Sequence, residues 1–197
     1  MSKSDPSSIK KERIKTIRWV VTIFFITIFV SGTISLVSDE IMDGSSIGVA
    51  FLILMCIVLL GIAFDIIGVA VTSADEKPFH SMASRKVPGA QEAIRLLRNA
   101  ERVSSICNDV VGDICGVVSG SASATIAAQI LKNFEFTWPR LITLLMSALV
   151  AGLTVGGKAI GKTFAINSCT EIVHMVGRMI YALRKLSLNT RTGNKER

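Results

Sequence analysis

Charged residues in this chain lie inside stretches that are otherwise apolar. Asp65 lies in the second such stretch, and Asp109 and Asp113 lie in the third. Lys158 lies in the fourth. Ionisable groups are rare inside membrane spans, where they usually face a protein interior or an aqueous cavity and mark a path for an ion or a substrate. The sequence therefore predicts a membrane protein built around a polar site.

These side chains suit a divalent cation. Mg²⁺ takes carboxylate, carbonyl and water oxygens as ligands, and the amide oxygen of Asn108 adds to those of the three aspartates. Lys158 would compete with a cation for the same place. The alternative is that Lys158 forms a fixed salt bridge with one aspartate while another stays protonated, so that the network only specifies the packing of the helices.

Long apolar runs set the fold class. The chain has 197 residues, of which 50% are hydrophobic, and its mean hydropathy is +0.53. Runs approaching about 20 residues are typical of membrane-spanning helices. The predicted spans are residues 19–37, 47–72, 103–131 and 141–165. We therefore expect an all-α, polytopic membrane protein, with juxtamembrane amphipathic helices and no enzymatic activity.

Three of these spans carry a stripe of small or polar residues at helical spacing. The stripes are Gly61, Asp65, Gly68 and Thr72 in span two, Ser105, Asp109, Asp113, Gly116, Gly120 and Ser123 in span three, and Ser147, Ala151, Thr154, Lys158 and Ala165 in span four. Polar stripes avoid lipid by facing each other, so we expect them to converge on one inward-facing pocket. Span one has no such stripe and is placed at the periphery.

A second row of small residues in span three consists of Gly112, Gly116 and Gly120. Small residues let membrane helices approach closely. We therefore expect this row to pack against another helix, and we expect the small-residue faces to form a homodimer.

The distribution of charge predicts the topology. The formal net charge is +7, and the basic residues cluster in the head (residues 1–18), in the loop after span two (74–102) and after span four. The connection between the first two spans is acidic instead, with Asp39, Glu40 and Asp43. By the positive-inside rule, both termini and the loop are cytoplasmic. The basic balance thus fits a multi-pass protein of the plasma membrane and does not call for nucleic acid.

The juxtamembrane segments are also patterned as helices. Pro88 is expected to start a short amphipathic helix that ends near Arg102. Residues 166–186 form a second amphipathic pattern, for which two alternatives stay open: it lies along the inner membrane surface, or it packs on the cytoplasmic ends of the bundle. Residues 187–197 are expected to be a loose tail.

One motif suggests an ATPase and is discounted. The segment from Gly156 to Thr163 reads GGKAIGKT and fits the phosphate-loop pattern G-x-x-x-x-G-K-[ST]. That motif needs a preceding strand and a helix that opens at the loop, so that free backbone N–H groups hold phosphate. Here a long apolar helical stretch precedes it, so a loosened helix end with Lys158 and Lys162 reaching toward water fits better.

The order of motifs resembles the transmembrane module of the CorC / cyclin M family of magnesium transporters. Residues 64–73 read FDIIGVAVTS, similar to the family's FSGSETALTS, and residues 89–97 read GAQEAIRLL, close to its basic loop. Residues 106–111 (ICNDVV) and 157–165 (GKAIGKTFA) are similar to the family's IGNNLV and GEILPKTLA. The resemblance covers about residues 47–186, and no motif is intact. We do not expect the family's regulatory nucleotide-binding domains in this chain.

The resemblance implies a dimer with a juxtamembrane helical belt and a metal site of serine, asparagine and glutamate oxygens. Asn108 matches the asparagine, Asp65 stands at the serine, Lys158 replaces the glutamate and Gly161 replaces the proline. Two hypotheses follow from these departures.

The first is a divalent-cation, magnesium-like transporter or binding protein with a rearranged site. Asp65, Asn108, Asp109 and Asp113 would be its metal ligands, and Lys158 and Lys162 its gating or ion-pair residues. The second is a non-conducting membrane protein that interacts with or regulates a partner, in which the Asp/Lys cluster is a structural salt-bridge network. Mg²⁺ is the one cofactor considered, as a bound or transported ion.

Overall fold

The computed structural model describes residues 6–43, 45–133 and 138–193, and in these ranges it is helical without any strand. The elements are α1 (Pro6–Asp43), α2 (Ile47–Ser73), α3 (Lys77–Ser84), α4 (Ala90–Arg98), α5 (Ala100–Ser105), the π-helix π1 (Ile106–Gly112), α6 (Asp113–Asn133), α7 (Pro139–Asn167) and α8 (Cys169–Gly193). The predicted all-α fold is confirmed.

Four helical segments are long and apolar enough to cross a membrane. They are Thr16–Met42, Ile47–Ser73, Ala100–Asn133 and Pro139–Asn167. The third consists of α5, π1 and α6 in direct succession and is called the third span below. The predicted membrane helices are thereby confirmed, whereas their orientation and the identity of the membrane stay predictions.

Helix α1 lies at the edge of the bundle and packs mainly on α6. Ile23 and Val30 contact a buried cluster on the third span that includes Ile114. The Arg102 guanidinium lies 5.8 Å from the ring centroid of Trp19, a cation–π contact that links α1 to α5. Because most of α1 faces outward, its apolar side chains would meet lipid.

Helix α2 is the central element, since it contacts α5, π1, α6, α7 and α8. In its first half, Leu54 and Val58 are buried in a cluster with Ala122 and Ile126 of α6 and Val150 of α7. These apolar contacts hold one end of the bundle together. They also position the second half of α2, which carries Asp65, against its neighbours.

The other end of the bundle is covered by the short helices. Val71 of α2, Phe79 of α3, Leu97 of α4 and Val173 of α8 belong to one buried cluster. The predicted loop 74–102 is thus largely helical. Helix α4 begins at Ala90, not at Pro88, because Gly89 adopts a φ of +87° that an α-helix does not contain.

Helix α8 extends to Gly193, so the tail predicted from Ser187 is helical up to that residue. The remaining predicted tail, residues 194–197, and the start of the predicted head, residues 1–5, lie outside the described residues.

Candidate intramembrane ion-pair site

The site is formed where the third span approaches the backbone of α2. Gly61 and Gly68 flank Asp65 on one face of α2. A Cβ added at Gly61 would lie 2.8 Å from the Cβ of Cys115, and one added at Gly68 would overlap Oδ1 of Asn108. The two glycines therefore allow a close contact on both sides of Asp65.

Glycines also bring α7 against α2 beside Lys158. A Cβ at Gly157 would overlap Cδ1 of Ile62, and a Cβ at Gly161 would lie 2.8 Å from Cγ1 of Ile66. The isoleucine side chains of α2 thus fill the space that these glycines leave. This contact holds Lys158, which lies between the two glycines in the sequence, at the level of Asp65.

Lys158 and Asp65 form an ion pair between α7 and α2. The distance from Nζ to Oδ1 is 3.6 Å, and the two side chains are 26% and 17% exposed. Charges taken out of water need a partner at close range, which is what each gives the other. Of the three aspartates predicted for the site, Asp65 is the one within ion-pair distance of Lys158.

The third span closes over this pair at Gly112. A Cβ there would lie 3.3 Å from Nζ of Lys158, 3.7 Å from Oδ1 of Asp65 and 3.3 Å from the carbonyl oxygen of Cys107. Any larger residue would press on the ion pair. The absence of a side chain at Gly112 therefore lets three membrane-candidate helices meet at one charged contact.

Gly112 is the last residue of π1, the irregular part of the third span. π-Helical turns close hydrogen bonds from residue i to i+5, are rare, and occur frequently at functional sites. Within π1, Asn108 donates a hydrogen bond from Nδ2 to Oγ of Ser104 at 3.3 Å. Its Oδ1 is buried against Gly68 and has no hydrogen-bond partner among the described residues.

Asp109 and Asp113 lie on the outside of the third span. Both residues are exposed, and the hydroxyl of Ser105 donates a hydrogen bond of 2.9 Å to Oδ2 of Asp109. In the part of the chain that the structure describes, no three His, Cys, Asp or Glu residues are close enough to hold a metal ion. The structure therefore unites Asp65 with Lys158 but does not bring the three aspartates into one pocket.

The stripe predicted for span three is displaced by one residue. Asn108, Gly112 and Cys115 lie against the part of α2 between Gly61 and Gly68. They have the same three- and four-residue spacing as the predicted Asp109, Asp113 and Gly116. Both stripes satisfy helical periodicity, and the one with the aspartates is exposed at Asp109 and Asp113. Close approach to the α2 glycines selects the stripe whose residues are all small or uncharged. Cys115 was not predicted as a residue of this contact because the prediction followed the charged side chains.

The predicted glycine row is only partly packed within the chain. Gly112 contacts α2 and α7, whereas a Cβ at Gly116 or Gly120 would have no atom within 4 Å. Together with Asp109 and Asp113, these two glycines form what we call the open face of the third span. Small and acidic residues are thus uncovered on a helix that is apolar enough to cross a membrane.

Lys162 is exposed and lies one helical turn beyond Lys158 on α7. The GGKAIGKT segment that contains both lysines is α-helical throughout, because α7 runs from Pro139 to Asn167. Its backbone N–H groups are therefore engaged within the helix, and a phosphate loop requires them to be free.

The chain matches no family model, no curated protein and no solved structure. The resemblance to the CorC / cyclin M module therefore stays a hypothesis that rests on the motifs. What the site can do follows from its own geometry: a lysine ammonium lies where a free cation would otherwise meet Asp65. Hard divalent cations need several oxygen ligands, and the described site offers Asp65 already engaged by Lys158.

Proposed function

We propose that this chain is a non-conducting membrane interaction protein, in which Lys158 acts as a tethered cation for Asp65. The observation that carries the proposal is the 3.6 Å contact between Nζ of Lys158 and Oδ1 of Asp65, closed over by Gly112. A divalent cation would have to displace this ammonium group, which the glycine contacts between α7 and α2 hold beside Asp65.

The experiment compares the wild-type chain with Lys158→Glu, which carries the glutamate of the resembled family. Thermal unfolding of the purified protein is measured with and without Mg²⁺, and Mg²⁺ uptake is measured in proteoliposomes with a Mg²⁺-sensitive dye inside. We expect no Mg²⁺ effect on the wild type, because its carboxylate is already paired. In Lys158→Glu we expect Mg²⁺ to raise the unfolding temperature, because two facing carboxylates repel each other until a cation binds.

Lys132→Glu is the matched control, since it makes the same change of charge at an exposed position of α6 outside the site. It should leave the response to Mg²⁺ as in the wild type. Saturable Mg²⁺ uptake by the wild type would contradict the proposal.

The interaction surface in this proposal is the open face of the third span. Exposed Asp109 and Asp113 would be costly against lipid, and Gly116 and Gly120 leave space for the backbone of another helix. A second copy of the chain fits this face, because its exposed Lys162 offers a cation to the acidic side chains. A separate membrane protein that is regulated by this chain is the other partner that the face would accept.

Gly120→Leu tests the surface. A Cβ at residue 120 would have no atom of another segment within 4 Å, so the larger side chain should weaken association while the unfolding temperature of the monomer is retained. Association is measured by light scattering in detergent and by crosslinking in membranes. Ala148→Leu, an exposed position on α7, is the control, and equal association of both variants would exclude this face.

We further propose a plasma-membrane location with both termini cytoplasmic. Exposed basic residues, among them Arg95, Arg98, Arg178 and Lys185, are concentrated in α4 and α8 at one end of the bundle, as the positive-inside rule expects for the cytoplasmic side. Labelling of Gln91→Cys, exposed on α4, with a membrane-impermeant maleimide tests this. We expect the reagent to label residue 91 only after the cells have been permeabilised.

Divalent-cation transport is the second candidate, and π1 is the observation that favours it. The buried Oδ1 of Asn108 has no hydrogen-bond partner among the described residues, and the carboxylate of Asp109 is one residue away. If this stretch handled a cation, wild-type proteoliposomes would take up Mg²⁺, and Asn108→Ala and Asp109→Asn would each reduce the uptake severalfold. Unchanged uptake in both variants would exclude this candidate.

A further inference from the structure

Helix α8 is fixed to the bundle along one side. Val173 is fully buried, and Gly177 lies against Gly89 and Ala93 of α4. Arg184 forms an ion pair with Glu92 of α4, with 3.7 Å between Nη1 and Oε1. Residues 173, 177 and 184 share one side of a helix because they are four and eleven positions apart.

The contact at Gly177 is too close to allow α8 to roll. A Cβ at Gly177 would lie 2.5 Å from the carbonyl oxygen of Gly89, and a Cβ at Gly89 would lie 2.5 Å from the backbone nitrogen of Arg178. With Glu92 and Arg184 paired further along, α8 is held at two points. The side that faces away from α4 is therefore constrained to stay outside.

That outer side carries an apolar stripe. Met175, Met179 and Leu183 follow one another at intervals of one helical turn and are 61%, 60% and 65% exposed. Pro88 adjoins the stripe, and a cavity of about 390 Å³ lies between it and α8. A contiguous apolar surface of this kind marks a contact with a protein or a membrane.

Basic side chains run beside the stripe. Arg178 and Lys185 are exposed and lie seven positions apart, so they share a side of α8. Among the described residues of α8, only Glu171, in the first turn, is acidic. The helix follows α7, a membrane-candidate helix, after a single residue, Ser168.

We propose that the outer stripe of α8 binds the surface of an anionic lipid bilayer. Met175, Met179 and Leu183 enter the boundary between headgroups and acyl chains, and Arg178 and Lys185 bind anionic headgroups. A helix with one apolar side and flanking basic residues binds membranes in this way, and each basic residue near such a surface strengthens the attraction. The attachment to the end of α7 holds α8 near the bilayer, which favours lipid over a soluble partner. This inference does not depend on whether the chain conducts ions.

The first experiment measures the surroundings of residue 179 in the full chain. The four cysteines are replaced by alanine or serine, Met179→Cys is labelled with the fluorophore NBD, and the protein is placed in nanodiscs of equal parts phosphatidylcholine and phosphatidylglycerol. We expect blue-shifted emission that brominated lipid quenches. The label on Gln91→Cys, exposed on α4, is the control and should emit as in water.

The second experiment keeps the native cysteines and tests the basic residues. Phosphatidylglycerol added to nanodiscs of phosphatidylcholine should raise the unfolding temperature of the wild type. The rise should be lost in Arg178→Glu/Lys185→Glu and kept in Arg98→Glu, an exposed basic position on α4. This comparison decides the question if the cysteine-free protein fails to fold.

Three outcomes would overturn the proposal. The first is water-like emission from residue 179 in the anionic nanodiscs. The second is a rise in unfolding temperature that is equal in wild type and in Arg178→Glu/Lys185→Glu. The third is a disulfide between two copies of Met179→Cys in native membranes, because it would show that a second copy covers the stripe.

Discussion

The third span presents small residues on two adjacent faces, of which only one also carries aspartates, and the two faces differ in packing. On one face, Asn108, Gly112 and Cys115 are pressed against the glycines of α2 and the Asp65–Lys158 pair. On the open face, one residue further along, a Cβ at Gly116 or Gly120 would have no atom of another segment within 4 Å, and the aspartates are exposed. Small residues alone therefore do not decide which face is closed, because α2 packs on the face without aspartates.

The largest expected effect comes from leaving one charge of the ion pair alone. Lys158→Met should destabilise the protein by about 3–5 kcal/mol, because Asp65 then lacks its partner in a partly buried site. Asp65→Asn/Lys158→Met should regain most of this loss, since a neutral pair needs no compensation. Thermal and chemical unfolding in detergent measure both.

The control for this comparison is Arg140→Met, which removes an exposed basic side chain of the same helix. It should change stability by less than about 0.5 kcal/mol. A double variant as unstable as Lys158→Met alone would show that Asp65 and Lys158 are not energetically coupled.

The next effect comes from adding volume to the closed face. Gly112→Ala should cost about 1–3 kcal/mol, because the new methyl group would press on Nζ of Lys158 and on the carbonyl of Cys107. Gly116→Ala adds the same group on the open face, where it meets no atom. It should stabilise the helix by up to about 1 kcal/mol, since alanine favours helix over glycine.

The unfolding free energies of these two variants, measured side by side, sharpen the comparison of the faces. Equal destabilisation by both would show that the open face is covered in the purified protein, as it would be in a stable dimer.

The smallest effect is expected at the hydrogen bond of the open face. Ser105→Ala removes the donor to Asp109 and should cost about 0.5–1.5 kcal/mol at most, because both groups are accessible to water or to a partner. Asp113→Asn changes an exposed aspartate for which the structure shows no hydrogen bond to the described residues. It should lower the free energy of unfolding by less than Ser105→Ala does. If Ser105→Ala lowers the free energy of unfolding as much as Lys158→Met does, the open face contributes to stability as much as the closed face.

Much of the architecture could be predicted from the sequence. Long apolar runs indicated the four candidate spans, because a membrane-crossing helix needs that length. Asp65 and Lys158 were both predicted to face the shared polar site, but the sequence left open which of the three aspartates pairs with Lys158.

The remaining features depend on contacts that periodicity does not encode. The stripes 108–112–115 and 109–113–116 have equal helical spacing, so only the glycines of α2 distinguish them. The π-helix has no pattern of its own in the sequence. The end of α8 was misjudged because polar residues after Leu186 suggest a tail, although they are also compatible with a helix.

π1 has a consequence for how the chain tolerates length changes. A π-turn contains one residue more than an α-turn, so this stretch can lose one residue and remain helical. A single-residue deletion within Ile106–Gly112 would be absorbed by tightening to α-helix, with both neighbours left on their axes. The same deletion in α2, just before Asp65, would swing the carboxylate about a quarter of a revolution away from Lys158. Of the three helical segments that meet at the ion pair, only the third span therefore contains a turn that can absorb a deletion.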